Sequence, residues 1–163
     1  MLIRASRLTW ALATLHVGIF EELTFRGYMQ FTLTSGVGFW PAAALSSLAF
    51  GAIHMADSFY DWPGIISAAL FGLLFCFTLW RTGNLWLAVG FHAAVDFAET
   101  FFFAPPSSST GHLLDCTWHG SRWLTGGTVG PESSVNGWLA FVVVFWLFAK
   151  LHPRRPEGAA AAS

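Results

Sequence analysis

Five long apolar stretches, joined by polar connections, constrain the fold of this chain more than any other feature of its sequence. A helix needs about 20 mostly apolar residues to cross a bilayer, so these stretches predict about five membrane spans. Lys, Arg, Asp and Glu make up only 10% of the 163 residues, while 55% are hydrophobic. Such a chain has too few charges to cover a water-facing surface. We therefore predict an integral membrane protein with an all-α fold, a polytopic bundle of transmembrane helices.

The apolar stretches also set the expected domain boundaries. Residues 8–103 hold four predicted spans and form the expected core, and residues 104–137, rich in Ser, Gly and Pro, predict a loop outside the bilayer. A last transmembrane helix is predicted at 138–150, followed by a disordered tail at 151–163. The net charge of −1 argues against nucleic acid as a partner, because nucleic-acid binding needs a basic surface.

Ionisable residues inside the predicted spans indicate a functional site, because such residues are costly in a membrane. The first group is Glu21, Glu22 and Arg26, all on the first span. Glu22 and Arg26 are four residues apart, so they share a helix face and can form a structural ion pair. Glu21 is rotated by about 100° from Glu22, and it therefore needs a partner on another helix.

Two further groups follow on the second and fourth spans. Phe50 precedes His54 near the end of the second span, and His92 precedes Asp96 on the fourth. His92 and Asp96 share one helix face, whereas Glu99 lies close enough to the end of its span to be interfacial. Each group alone fits a structural role in helix packing. Together, a carboxylate, two imidazoles and a second acid at bilayer depth supply the parts of a hydrolytic site.

The three groups have the identity, order and spacing of a known family's motifs, which are E-E-x-x-x-R, F-x-x-x-H and H-x-x-x-N or H-x-x-x-D. In this chain the pattern reads Glu21-Glu22 to Arg26, Phe50 to His54 and His92 to Asp96. Over about residues 15–100, the chain thus resembles the CPBP family (CAAX protease and bacteriocin-processing, or Abi), which is related to the type II CAAX prenyl endopeptidases. The resemblance implies an intramembrane endopeptidase that hydrolyses a peptide bond at or near a bacterial plasma membrane. The implied partners are the lipid bilayer and a peptide or protein substrate.

The resemblance also assigns roles to four catalytic residues. Glu21, with His54, would activate water, and His92, with Asp96, would stabilise the oxyanion. The prenyl endopeptidases carry Asn where this chain has Asp96. An ionised Asp cannot donate a hydrogen bond to an oxyanion, although a protonated one can. Asp96 is therefore also a candidate for orienting His92 and favouring its charged form.

Three alternatives stay open on the sequence alone. We favour a metal-free mechanism without a cofactor, but Glu21, His54 and His92 would suffice to ligate a catalytic zinc ion. A non-catalytic membrane immunity or scaffold protein would instead use the polar cluster as a clamp for a partner. A proton-coupled transporter would use the same side chains as a relay, although the sequence has no internal repeat of the kind that transporters show.

Overall fold

The computed structural model of the chain describes residues 7–56, 60–103, 112–114 and 116–153. These residues contain helices and no strand, which confirms the all-α prediction. The α-helices are α1 (Arg7–Glu22), α2 (Phe31–Val37), α3 (Phe39–Ile53), α4 (Trp62–Thr82), α5 (Leu85–Phe97), α6 (Arg122–Thr125) and α7 (Val135–Leu151). Shorter elements are π-helical turns at Leu23–Gln30 and Ala98–Phe102 and 3-10 turns at His54–Ala56 and Pro131–Ser133.

Three helical segments of the described chain are long and apolar enough to cross a membrane, namely Phe39–Ala56, Trp62–Thr82 and Leu85–Phe102. α7 is also apolar but shorter. The first predicted span is a continuous helical run, because the π turn at Leu23–Gln30 joins α1 to α2 without a break. Large hydrophobic side chains are exposed on most of these helices, and apolar surface of this extent marks a membrane-facing protein.

The C-terminal part of the chain holds more structure than the predicted loop. α7 begins at Val135 and ends at Leu151, so it is longer than the predicted helix at 138–150. α6 and the 3-10 turn at Pro131–Ser133 both lie within the predicted loop. The expected disorder of the tail stays a prediction, because residues 154–163 lie outside the described residues.

Small residues allow the helices that carry the ionisable groups to pack closely. A Cβ atom added to Gly51 of α3 would lie 2.9 Å from the Ile65 carbonyl oxygen of α4. A Cβ atom added to Gly18 of α1 would lie 3.1 Å from the Val89 carbonyl oxygen of α5. Close packing through small residues is the usual way in which helices associate in lipid. Here it sets α3 closely against α4 and α1 closely against α5.

The C-terminal segment, which runs from α6 to α7 (residues 122–151), is attached to α4 by both aromatic packing and hydrogen bonds. Phe141 of α7 packs edge-on against Phe71 of α4, with a distance of 4.5 Å between ring centroids. Ser67 Oγ of α4 donates a hydrogen bond to the Glu132 carbonyl oxygen at 3.0 Å, and Trp138 Nε1 donates to Ser67 Oγ at 2.8 Å. These contacts hold the 3-10 turn and the beginning of α7 against the bundle.

Candidate active site

A buried carboxylate joins the first helical run to α5. Arg26 Nη1 donates a hydrogen bond to Glu22 Oε1 at 2.8 Å, and both side chains are fully buried. His92 Nδ1 lies 2.9 Å from the same oxygen, and it must donate there because a carboxylate only accepts. Glu22 therefore satisfies one donor from its own helix and one from α5. This contact fixes the orientation of the His92 ring.

Aromatic rings surround the buried Arg26 cation. Its guanidinium carbon lies 4.5 Å from the Phe50 ring centroid and 5.1 Å from that of Phe75. The negative faces of aromatic rings attract cations at this range. Gly72 makes room for the guanidinium, since a Cβ atom there would lie 3.0 Å from Arg26 Nη2. The sequence predicted the carboxylate partner of Arg26 but not this aromatic enclosure.

The second nitrogen of His92 lies between two further carboxylates. His92 Nε2 is 3.6 Å from Glu21 Oε2 and 3.6 Å from Asp96 Oδ2. Glu21 thus meets a partner on another helix. The His92 ring also stacks on Phe75, with a distance of 5.0 Å between centroids and an interplanar angle of 16°. The structure therefore brings three of the predicted site residues, Glu21, His92 and Asp96, into one group.

His54 has a different environment. It begins the 3-10 turn at His54–Ala56, where α3 ends, and its Nδ1 lies 2.8 Å from the Phe50 carbonyl oxygen. A carbonyl only accepts hydrogen bonds, so Nδ1 carries the hydrogen and the neutral ring has Nε2 as its acceptor. The ring also packs against Tyr60, with 4.8 Å between centroids. Nδ1 therefore donates in both rings, to a backbone carbonyl in His54 and to a carboxylate in His92.

One small cavity joins these imidazoles. It has a volume of about 40 Å³, and its wall includes His54, His92 and Asp96. One water molecule needs roughly 10–15 Å³ of such volume, so the cavity can hold water beside both rings. In the described part of the chain, Glu21 is not part of the cavity wall. Glu21 approaches the site through its contact with His92 Nε2.

Two further acids line the same cavity, namely Glu99 of the π turn after α5 and Glu132 of the C-terminal segment. Their side chains form a hydrogen bond to each other. The sequence suggested an interfacial position for Glu99, but the π turn continues the helix and directs Glu99 into the cavity. The sequence signal for Glu99 is its spacing of three residues from Asp96, which places the two acids on one helix face. No motif in the sequence indicated Glu132.

The zinc alternative names Glu21, His54 and His92 as ligands. Among the described residues, no three His, Cys, Asp or Glu side chains form a group that could hold a metal ion. The Nδ1 atoms of His54 and His92 are hydrogen-bonded to Phe50 and Glu22, respectively. These bonds leave Nε2 of each imidazole as the nitrogen that a metal would use, and the zinc alternative stays a prediction.

A bundle of apolar helices with carboxylates and imidazoles around a small cavity defines a helical membrane protein with an ionisable cluster in its interior. The sequence matches the profile of the family described as type II CAAX prenyl endopeptidase Rce1-like over residues 4–98. The match covers more than half of the chain, and the chain belongs to this family. Membership confirms the suspected resemblance and indicates a CAAX-type membrane protease in general. No curated protein and no solved structure matches the chain significantly.

Proposed function

We propose that the chain is an intramembrane endopeptidase of a bacterial plasma membrane that hydrolyses a peptide bond with water activated by Glu21 and His54. The observation that carries the proposal is the position of His92 Nε2, 3.6 Å from both Glu21 Oε2 and Asp96 Oδ2, on a cavity that His54 also lines. Family membership supports the reaction class. The geometry supports the assignment of individual residues to its steps.

Glu21 and His54 are the proton acceptors in this mechanism. His54 donates through Nδ1 to a backbone carbonyl, so Nε2 of the neutral ring can accept a proton or a hydrogen bond from water. Glu21 is the carboxylate that takes the proton as the water oxygen attacks the substrate carbonyl. General-base assistance of this kind contributes typically about 10²–10⁴-fold to a rate.

His92 is the donor that stabilises the oxyanion. In its protonated form it has two N–H groups, one of which is held by Glu22, and the other is available to the developing negative charge. Asp96 lies one helical turn after His92 and 3.6 Å from Nε2, where a carboxylate favours the charged ring. We assign Asp96 as a positioning residue, because a donor directed at the oxyanion is most effective when its orientation is fixed before reaction.

The proposal is tested by substituting Glu21→Gln in purified protein reconstituted into liposomes. The probe is a fluorogenic peptide that ends in a farnesylated CAAX sequence, together with its unprenylated counterpart. Gln keeps the size of Glu but cannot accept the proton, so kcat should fall about 10²-fold or more. The control is His16→Gln, because His16 is an exposed residue on the same helix and this variant should retain the parent rate.

Two kinds of result would contradict parts of this proposal. Cleavage by Glu21→Gln at the parent rate would remove Glu21 from the mechanism, whereas no cleavage by the parent protein itself would favour the scaffold or immunity role. The zinc-dependent alternative is tested by chelation and metal analysis of the same preparation. We expect activity to persist after chelation; loss of activity together with stoichiometric zinc would instead support a metal mechanism.

A further inference from the structure

The Glu99–Glu132 pair lies in the wall between two cavities. Both side chains line the small cavity that contains His54 and His92. Both also line a second, mostly apolar cavity of about 390 Å³ between α4, α5 and α7. The pair is therefore accessible to a substrate that reaches the imidazoles from the apolar side. Glu132 lies beyond the part of the chain that matches the family profile, which ends at residue 98.

The hydrogen bond between the two carboxyl groups requires a proton. The Glu99 and Glu132 side chains are in contact, and two carboxylates that share a site disfavour each other's ionisation, so one of the two keeps its proton and donates it to the other. Burial raises the pKa of Glu132, because the loss of water disfavours its charged form. The pair therefore retains one transferable proton in the cavity wall.

The backbone of Glu132 is held in place by α4 and α7. Ser67 Oγ donates to the Glu132 carbonyl oxygen at 3.0 Å, and Trp138 Nε1 donates to that same hydroxyl at 2.8 Å. Gly137 permits a close approach of α7, since a Cβ atom there would lie 2.7 Å from the Glu132 carbonyl oxygen. Glu132 thus reaches the cavity from a fixed turn. A fixed position is what a proton donor needs in order to act at a defined atom.

The leaving amine needs a proton donor in the cavity wall, and Glu21, which holds the proton taken from water, is not part of that wall in the described chain. When a peptide bond breaks, the nitrogen leaves as an amine and must gain a proton. His54 donates its Nδ1 hydrogen to Phe50 and has an acceptor at Nε2, while His92 donates one hydrogen to Glu22 and directs the other to the oxyanion. Both imidazoles thus have other roles, and the shared proton of the Glu99–Glu132 pair is the further acid in the cavity wall.

We propose that the hydrogen-bonded pair Glu99–Glu132 is the general acid that protonates the amine leaving group, an inference that rests on the proposed endopeptidase function. The water oxygen bonds to the carbonyl carbon and its proton passes to Glu21. The C–N bond then breaks, its electron pair goes to nitrogen, and the proton of the pair forms the new N–H bond. The proton held by Glu21 returns to the pair through water, so the site is restored with no net change.

The test compares two leaving groups in the same peptide. One probe is the farnesylated CAAX peptide with its scissile amide, and the other replaces that amide by a thioester, whose thiolate leaves without a proton. Glu132→Gln and Glu99→Gln each remove the shared proton while keeping side-chain size. For each variant we expect kcat on the amide to fall about 10²–10⁴-fold and kcat on the thioester to stay unchanged.

The controls separate this inference from the proposed function. Glu21→Gln should lose activity on both probes, because water activation is needed for each; full activity of Glu21→Gln on both would overturn the proposed function and this inference with it. Ser133→Ala alters the same 3-10 turn at a buried hydroxyl and should retain both activities. Equal losses on amide and thioester in the Glu99 and Glu132 variants, or no loss on either, would overturn the general-acid role. The two glutamate variants test the same proton, so a folded preparation of either one suffices.

Discussion

The helices that match the family profile and the C-terminal segment are held together by different forces. In the matched region, fully buried charges meet at close range, as between Glu22 and Arg26. In the C-terminal segment, neutral hydrogen bonds through Ser67 and an exposed ion pair between Asp61 and Arg122 make the attachments. Buried charges are costly when left unpaired, whereas exposed pairs contribute little. We therefore expect substitutions in the first region to damage the fold and those in the second to have modest effects.

The largest effect is expected from breaking the buried ion pair. Glu22→Ala leaves the Arg26 cation and the His92 donor without their carboxylate, and an uncompensated buried charge typically costs about 3–5 kcal/mol of unfolding free energy. The measurement is equilibrium unfolding in detergent micelles. The double variant Glu22→Leu with Arg26→Met removes both charges and should recover part of the loss. A single variant as stable as the parent would show that this contact does not hold the matched region together.

Close helix packing is expected to give the next largest effect. In Gly51→Ala the new Cβ atom would lie 2.9 Å from both Ala69 Cβ and the Ile65 carbonyl oxygen, so backbone has to move, at a cost of about 1–3 kcal/mol. Gly90→Ala is the matched control, because no described atom lies within 4 Å of a Cβ atom there. Since Ala favours a helix over Gly by about 1 kcal/mol, the control should be neutral or stabilising in thermal unfolding. Equal destabilisation by both variants would contradict the close approach of α3 and α4.

The sequence predicts the matched region well because helical periodicity determines which residues share a face. Glu22 with Arg26, and His92 with Asp96, are four residues apart, and both pairs lie in contact as this spacing requires. The π turn at Leu23–Gln30 cannot be predicted from the pattern of apolar residues. Glu132 could not be predicted, because the loop that brings it to the cavity has no periodicity that relates it to α5. Long-range closure of a loop depends on tertiary contacts, which a one-dimensional pattern does not contain.

In the C-terminal segment, the hydrogen bond from the indole of Trp138 should have a moderate effect. Trp138→Phe keeps an aromatic ring but removes the donor to Ser67 Oγ, and a neutral hydrogen bond contributes about 0.5–1.5 kcal/mol. Trp146→Phe is the control, because Trp146 is an exposed tryptophan on the same helix. Thermal unfolding should distinguish the two variants. A loss for Trp138→Phe as large as that for Glu22→Ala would remove the contrast between the two regions.

The smallest effect is expected at the ion pair between Asp61 and Arg122. The Arg122 side chain is 52% exposed, and such pairs contribute about 0.2–1 kcal/mol, so Arg122→Gln should lower stability only slightly in dilute buffer. The difference should disappear near 1 M salt, where the screening length is about 3 Å.

Asp61 allows this ion-pair energy to be separated from helix capping. Its Oδ1 also accepts a hydrogen bond from the Gly64 backbone N–H at 3.2 Å, which caps the beginning of α4. Asp61→Asn keeps a capping oxygen and should behave like Arg122→Gln, whereas Asp61→Ala also loses the cap, at a typical cost of about 0.5–2 kcal/mol. The capping loss should persist at high salt, since it is not a long-range charge effect. If the Arg122→Gln loss also persisted there, the C-terminal segment would be attached by a desolvated charge pair, as the matched region is.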